Sequence, residues 1–460
     1  MNVIMKFGGT SVADADAMTR VINIVREHAA RYPQSTLPVV VVSAMSKVTD
    51  RLVETARLAG ERQTDAAARI LDELLERHVG VARALVPGDS AEALCAQLTD
   101  DFHALRAQVR QWSAEGEVSP AAIDAILATG ELASSRMVAA AFNARGIRAA
   151  WVDARRVLVT DAEHTIAAPD TEATTAKCRQ LLATRTAAGE VPVLGGFIGA
   201  TAGGATTTLG RGGSDYSAAI FGACLDVDEI QIWTDVDGML TADPRVVSDP
   251  RVVPELSFNE ASELAYFGAK VLHPSTIQPA VAKNIPVRIL NSRRPEVQGT
   301  SITAEGRKNA GALTALACKR GVTVVNITST RMLMAHGFLR RLFEVFERFR
   351  TAVDVVTTSE VSVSVTVDNT RRLDDIISNL RTFAEVTTEA DMAIVCVVGE
   401  NLRSDPTLFA RAVTTLQRIP LRLVSQAGSR RNITFVIRDG DALDAMNALH
   451  DELFGARVAS

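Results

Sequence analysis

The chain opens with short apolar runs separated by longer segments in which apolar residues recur every three or four positions. Val3–Phe7 is the first run; Gly8-Gly9 closes it, and it reads as a short buried strand. Thr10-Ser11 then leads into a helical pattern from about Asp14 to Ala30. Leu37–Val42 is continuous and valine-rich, the mark of a strand covered on both faces in a parallel sheet. It ends in small polar residues, Ser43 to Thr49, before another helix. From about 61 to 140 the pattern is almost wholly helical, and Leu94, Leu98, Phe102, Leu105, Val109 and Trp112 form one stripe that reads as core packing. Strand signals return at Arg148–Val152, Val191–Ile198, Glu229–Trp233 and Ile285–Leu290. Strands alternating with helices predict one α/β domain with a helix-covered, mainly parallel sheet.

The texture changes at Val297–Gly311, a Gly, Thr, Ser and charge-rich stretch that reads as a linker. Beyond it the elements shorten and repeat. A strand at Val322–Ile327, a helix at Gly337–Phe349, strands at Val353–Thr357 and Val361–Val367 and a helix at Arg371–Leu380 form the first set. Ala393–Val398, Pro406–Leu416, Leu421–Val424, Ile433–Ile437 and Ala442–Leu453 repeat that order roughly 70 residues later, which predicts a duplicated module of βαββαβ type.

Composition narrows the class. The 460 residues are 47% apolar and 22% charged, ordinary for a globular protein of several domains. A formal charge of −5 supplies no global basic field for nucleic acid. The five cysteines are scattered, with no CxxC pair or His–Cys cluster to suggest zinc, so reduced thiols in a cytosol are expected. Met1–Phe7 lacks the layout of a signal peptide, and no apolar stretch reaches the ~18 residues of a membrane span. A soluble, cytoplasmic chain is expected.

Four segments carry candidate chemistry. Lys6-Phe7-Gly8-Gly9-Thr10-Ser11 joins a strand to a helix through two glycines, so backbone N–H groups and the Lys6 charge can meet phosphate oxygens. It is not a Walker A loop, since GxxxxGK[ST] occurs nowhere. Thr206 to Asp215 surrounds Arg211 with glycines before a helix that starts near Ser214, presenting backbone donors, a guanidinium and Asp215 at a helix N-terminus. Thr234-Asp235-Val236-Asp237-Gly238, followed by Asp243-Pro244-Arg245, places acidic residues at the end of a strand, where open α/β sheets bind ligands; an Asp-Gly turn is the plainer alternative. Phe267 to Pro274 sets Lys270 among small and apolar residues, aimed at an anion or simply at the surface, and His273 before proline reads as structural. Glu131, after Gly130, either binds a substrate ammonium or begins a helix.

In this order the segments resemble the aspartokinase branch of the amino-acid kinase family. The matching strings are KFGGTSVAD (Lys6–Asp14), VVSAMSKVTD (Val41–Asp50), Gly130-Glu131, GFIGAT (Gly196–Thr201), TTTLGRGGSDYSAA (Thr206–Ala219), IWTDVDGMLTADPRVV (Ile232–Val247) and FGAKVLHP (Phe267–Pro274). HGFLRRLFEVF and VDVVTTSEVSVSV resemble the paired ACT modules of that branch, so the likeness runs over essentially the whole chain. It implies a three-layer αβα catalytic domain over 1–296, a linker over 297–311, and ACT regulatory modules over 312–388 and 389–460. It also implies transfer of the ATP γ-phosphoryl group to the aspartate β-carboxylate, with Mg²⁺. Matched residue by residue, Lys6, Gly8, Gly9, Thr234, Asp235, Arg245 and Lys270 serve ATP. Ser43, Thr49, Glu131, Arg211, Ser214 and Asp215 surround aspartate, Arg211 taking a carboxylate and Glu131 the α-ammonium. Lys6, Asp215 and Lys270 are the catalytic expectation, and no general base is needed because the attacking carboxylate is already ionised.

Two departures stand out. The branch commonly places Tyr in the GxYTxDPR segment, where this chain has Leu240, and Met334, Ala335 and His336 stand where lysine-inhibited members carry a polar pair. The resemblance still names Met332, Gly337, Phe338, Leu339, Asp354, Thr358 and Ser359 as effector contacts, with lysine the first expectation and threonine the second. A homodimer or dimer of dimers is implied, and no fused dehydrogenase is expected after the second module. The competing readings are a kinase of another amino acid, such as glutamate, and a catalytically silent amino-acid sensor. The absence of GxGxxG after the first strand disfavours a dinucleotide redox enzyme.

Overall fold

The computed structural model describes residues 2–268, 274–306, 313–329, 336–426 and 430–455. They divide into two compact units: 1–239 with 254–258 and 271–306, and 240–253 with 259–270 and 307–460.

The first unit is built on an eight-stranded sheet. Its order is Ala149–Trp151, Val191–Gly195, Val39–Val42, Val3–Phe7, Glu229–Thr234, Val287–Asn291, Thr300–Thr303 and Glu255–Ser257. The first six strands are parallel, and Val287–Asn291 meets Thr300–Thr303 antiparallel. The valine-rich Val39–Val42 is buried throughout, as its unbroken apolar run demanded. Helices Val48–Gly60, Thr64–Leu85, Asp89–Glu115 and Pro120–Ala144 account for the long helical stretch. The stripe from Leu94 to Val109 is buried in the core, with Trp112 packed partly buried against it. Asp14 caps the first long helix, Ala15–Arg31, by accepting from the Ala17 N–H at 2.8 Å.

Two local expectations change. The run read as Val191–Ile198 is two strands, because the chain turns at Gly196-Phe197, where Phe197 takes φ +67°. Ile198–Thr201 then joins Val159–Thr160 and Thr206–Thr208 in a separate three-stranded sheet. The stretch 297–311, polar enough to read as a linker, carries the strand Thr300–Thr303, held by pairing on both sides.

In the second unit the duplicated modules share one antiparallel six-stranded sheet. Its order is Val356–Thr358, Ser362–Val367, Leu313–Thr328, Glu385–Gly399, Asn432–Arg438 and Leu423–Ser425. The two long central strands run through both halves with register shifts between Leu313 and Val324. One core gathers Leu342, Phe346, Val365 and Ile376; the other gathers Phe435, Leu408, Met446 and Leu449, and also Ala242 and Val247 from the 240–253 segment. Truncating the fully buried Phe435 to alanine is expected to cost about 3–5 kcal/mol. Denaturant titration should show the loss as a lowered midpoint.

Candidate active site

Strand ends build the site. Val3–Phe7, Val39–Val42, Val191–Gly195 and Glu229–Thr234 are parallel, so their carboxyl ends open on one side of the sheet. Gly8 continues the first strand by donating its N–H to the Trp233 carbonyl at 3.0 Å, and the Ser46 N–H donates to the Gly9 carbonyl at 3.0 Å. A Cβ at Gly9 would lie 2.9 Å from the Ala44 carbonyl oxygen, so glycine is required for these two loops to meet. The glycine loop after Thr206–Thr208 turns through left-handed Gly210 and Gly212 into the helix Gly213–Leu225.

These elements enclose a cavity of ≈ 690 Å³. Lys6, Gly8, Gly9, Ser43, Thr49, Glu131, Arg211, Ser214, Asp215, Thr234 and Asp235 all line it, so eleven of the expected site residues share one space. Lys6 is buried, and its ammonium lies 2.6 Å from Asp215 Oδ1. The Arg211 guanidinium is exposed on the rim and has no protein partner among the described residues.

Glu131 is the electrostatic anomaly. It sits on the helix Pro120–Ala144, which Ser119 caps and Pro120 starts. Only 3% of the residue is exposed, and its Oε2 has no hydrogen-bond partner among the described residues. Burial pushes its carboxyl up to about 8, against the pull of the Ala44 N–H, its own N–H and the Lys6 charge. A buried carboxyl group with an unused oxygen is poised to accept a cation.

Two expected residues stand apart. Arg245 belongs to the second unit, where its Nη2 lies 2.5 Å from Asp243 Oδ2, and it does not line this cavity. Lys270 lies outside the described residues, as does Met332. In the second unit Gly337 takes φ +83° before the helix Phe338–Arg348. Phe338 packs edge-on against Phe383, and Leu339 is exposed. Asp354 accepts from Lys319 at 2.8 Å and from the Tyr266 hydroxyl at 2.9 Å. Thr358 ends the strand Val356–Thr358, and Ser359 forms a turn with Ser362 at 2.7 Å.

The sequence pattern of the amino acid kinase family matches residues 1–291, and that of the ACT domain matches 395–453. Aspartokinase 3, chloroplastic, of Arabidopsis thaliana is 36% identical over 469 residues, covering 99% of this chain and 82% of that relative. The chain belongs to the aspartokinases. Lysine-sensitive aspartokinase 3 of Escherichia coli K12 is 35% identical over 98% of this chain and 99% of its own. The crystal structure of E. coli aspartokinase III in complex with aspartate and ADP (R-state) matches this fold with a TM-score of 0.83 at 33% identity, covering 99% of this chain and 100% of that one. The same enzyme in complex with lysine and aspartate (T-state) gives 0.80 at 33%, over 98% and 99%.

Within this aspartokinase cavity, sequence reasoning missed Lys47, Asp50, Thr165, Phe197 and Thr208. Lys47 and Asp50 lie inside a matched string, and Lys47 takes φ +67° just before the helix Val48–Gly60. Thr165 carried no signal; its φ of +71°, unusual for a β-branched residue, emerges only in the fold. The glycine at 195 also gains a purpose. A Cβ there would stand 2.8 Å from Glu131 Cβ and 3.0 Å from its carbonyl oxygen. Gly195→Ala is therefore expected to displace Glu131, costing about 1–3 kcal/mol of stability. Kinetics should show a raised KM for the amino-acid substrate alongside the lowered Tm.

Proposed function

We propose that this chain binds an α-amino acid and ATP in the one cavity and transfers the γ-phosphoryl group to the β-carboxylate of L-aspartate, giving 4-phospho-L-aspartate, the entry step to lysine, threonine and methionine. The observation that carries this reading is the pairing, in one cavity, of the buried Glu131 carboxyl, whose Oε2 has no hydrogen-bond partner among the described residues, with the guanidinium of Arg211, which also has none there. A zwitterionic amino acid offers the complementary ammonium and carboxylate. The glycine-flanked Lys6 and the backbone of Gly8 and Gly9 take the phosphates, with Thr234 and Asp235 on the same side. Ser43, Thr49, Ser214 and Asp215 frame the aspartate end.

The nucleophile arrives ionised, so catalysis rests on placement and charge neutralisation rather than on a base. Asp215 holds Lys6 in a buried position, from which its charge meets the transferring phosphoryl group. Lys270 is assigned the companion role. Among the described residues no cluster of three or more His, Cys, Asp or Glu forms a metal cage. That fits Mg²⁺, which is usually held through substrate phosphates, water and one or two carboxylates, here Asp235 or Asp215. Bound there, the ion would neutralise phosphate charge.

Lysine is the proposed effector of the ACT region, supported by the likeness to a relative named lysine-sensitive; threonine is the alternative. A homodimer or dimer of dimers is proposed through the regulatory sheet, whose edge strands Val356–Thr358 and Leu423–Ser425 each pair on one side only among the described residues. A cytoplasmic site of action fits five free cysteines, and among the described residues no helix is long and apolar enough to cross a membrane.

Trapping acyl phosphate with hydroxylamine in ATP and Mg²⁺ should give hydroxamate with aspartate, none with glutamate or without an amino acid, and less when lysine is added. No hydroxamate from folded, ATP-binding protein would sink the proposal. Lys6→Ala, assayed well below its own Tm, should lower kcat by about a hundredfold or more, a loss larger than the fall in Tm from leaving Asp215 unpaired would account for.

Glu131 makes binding depend on pH. With its carboxyl at about 8 in the free protein, it is largely protonated at pH 7, and a substrate ammonium must expel that proton. KM for aspartate should fall as pH rises through about 8 and level about one unit above it. Calorimetry at pH 7 in buffers of different ionisation enthalpy should register release of close to one proton, absent in Glu131→Gln. The same shift acts on folding in the opposite sense. The folded state holds the proton longer than the unfolded chain, so this group's contribution to stability is largest below 4.5 and is lost as pH rises through about 8.

A further inference from the structure

One buried carboxylate beside the cavity has no role in the chemistry above. Asp124 lies on the helix Pro120–Ala144, seven residues before Glu131 and so on the same helical face, about two turns away. It is fully buried. Its Oδ1 accepts from the Thr208 hydroxyl at 2.6 Å, both oxygens accept from the Thr165 N–H at 3.1 Å, and Oδ2 meets His164 Nδ1 at 2.7 Å. Its helical neighbours Ile123 and Leu127 line the cavity, as do two of the residues it holds, Thr165 and Thr208.

What Asp124 holds is strained and consequential. Thr165 adopts φ +71°, a conformation a β-branched residue resists, and its N–H is taken by the carboxylate. The Thr165 carbonyl packs against Gly210, where a Cβ would lie only 3.3 Å from its oxygen. Thr208 is two residues before Gly210 and three before Arg211, and its carbonyl accepts the Ala167 N–H at 2.9 Å. The base of the 161–168 loop is closed separately, by Asp161 accepting from the N–H groups of Glu163 and Ala168. Asp124 therefore fixes the tip of that loop and the approach to Arg211, and does nothing for the loop's closure.

We propose that Asp124 is a positioning residue for amino-acid binding: by holding Thr165 and Thr208 it sets the wall from which the Gly210–Arg211 turn presents its guanidinium to the substrate carboxylate. This rests on the assignment of Arg211 and Glu131 to aspartate. A carboxylate is required because three donors converge on it. An asparagine amide offers one accepting oxygen in place of two and would set its NH₂ against His164 Nδ1, which must then change tautomer or lose its partner.

The test compares wild type with Asp124→Asn, Thr208→Val and Thr208→Ser, each assayed well below its own Tm. KM for aspartate should rise about tenfold or more in Asp124→Asn and Thr208→Val, with KM for ATP within about twofold of wild type. Thr208→Ser, which restores the hydroxyl, should return KM to within about threefold. Should Asp124→Asn fail to fold, the Thr208 pair carries the test alone, since valine keeps the shape and removes only the donor. Lowered Tm with unchanged KM for aspartate would make the network purely structural and overturn the proposal, and so would a rise in KM for ATP alone. Wild type that forms no hydroxamate with aspartate is the separate result that removes the underlying reading and this inference with it.

Discussion

A cation at the buried end of the first strand constrains everything around it. Lys6 is at once part of a sheet covered on both sides and the source of charge for the cavity, and an ammonium taken out of water requires a carboxylate close by. Asp215 supplies it at 2.6 Å from the first turn of the helix Gly213–Leu225. That single contact ties the two glycine loops to each other. Gly9 lets the first loop pass close to Ala44, and left-handed Gly212 starts the helix that carries Asp215. Glu131 then faces a cavity in which the Lys6 ammonium is already partly neutralised, and the Lys6 charge is too weak an influence to hold Glu131 ionised against its burial.

The glycine loops were readable from the sequence because their information is local. A strand, a pair of glycines and a helix start lie within ten residues, and the residue types name the conformation they permit. The valine run and the leucine stripe were readable for the same reason, since period alone assigns each to a face. Other features depend on partners far along the chain. Thr300–Thr303 has the composition of a loop and is a strand only because it pairs with Val287–Asn291 on one side and Glu255–Ser257 on the other. Asp124 carries no signal in a pattern that is helical from about 61 to 140; its hydrogen-bond partners come from 164, 165 and 208. Arg245 reads as a phosphate ligand in its matched string, and its nearest charge in the fold is Asp243. Glu131 was ambiguous in sequence, and burial is what gives it an altered affinity for protons.

The duplicated half illustrates a related point. Periodicity revealed the repeat, and hydrogen bonding decided how the copies join. Both halves share the two long strands at the centre of the common sheet, Leu313–Thr328 beside Glu385–Gly399: Leu316 and Val395 pack in one apolar core, Val325 and Val386 in the other. Backbone continuity across the pair with independent side-chain packing makes the two halves one mechanical plate with two different interiors.

The second unit's core also recruits Ala242 and Val247, which lie in sequence well inside the stretch matched to the kinase family. The interleaving sets a limit on dissecting the molecule. A polypeptide cut after the last strand of the catalytic sheet would keep these two residues and lose the apolar surface that covers them, so the severed half would carry a sticky patch of its own making. Poor solubility of that fragment would thus report the uncovered patch rather than poor expression. A self-sufficient catalytic fragment would need the 240–253 segment redesigned as a polar loop, and domain boundaries drawn from sequence order alone would miss that requirement.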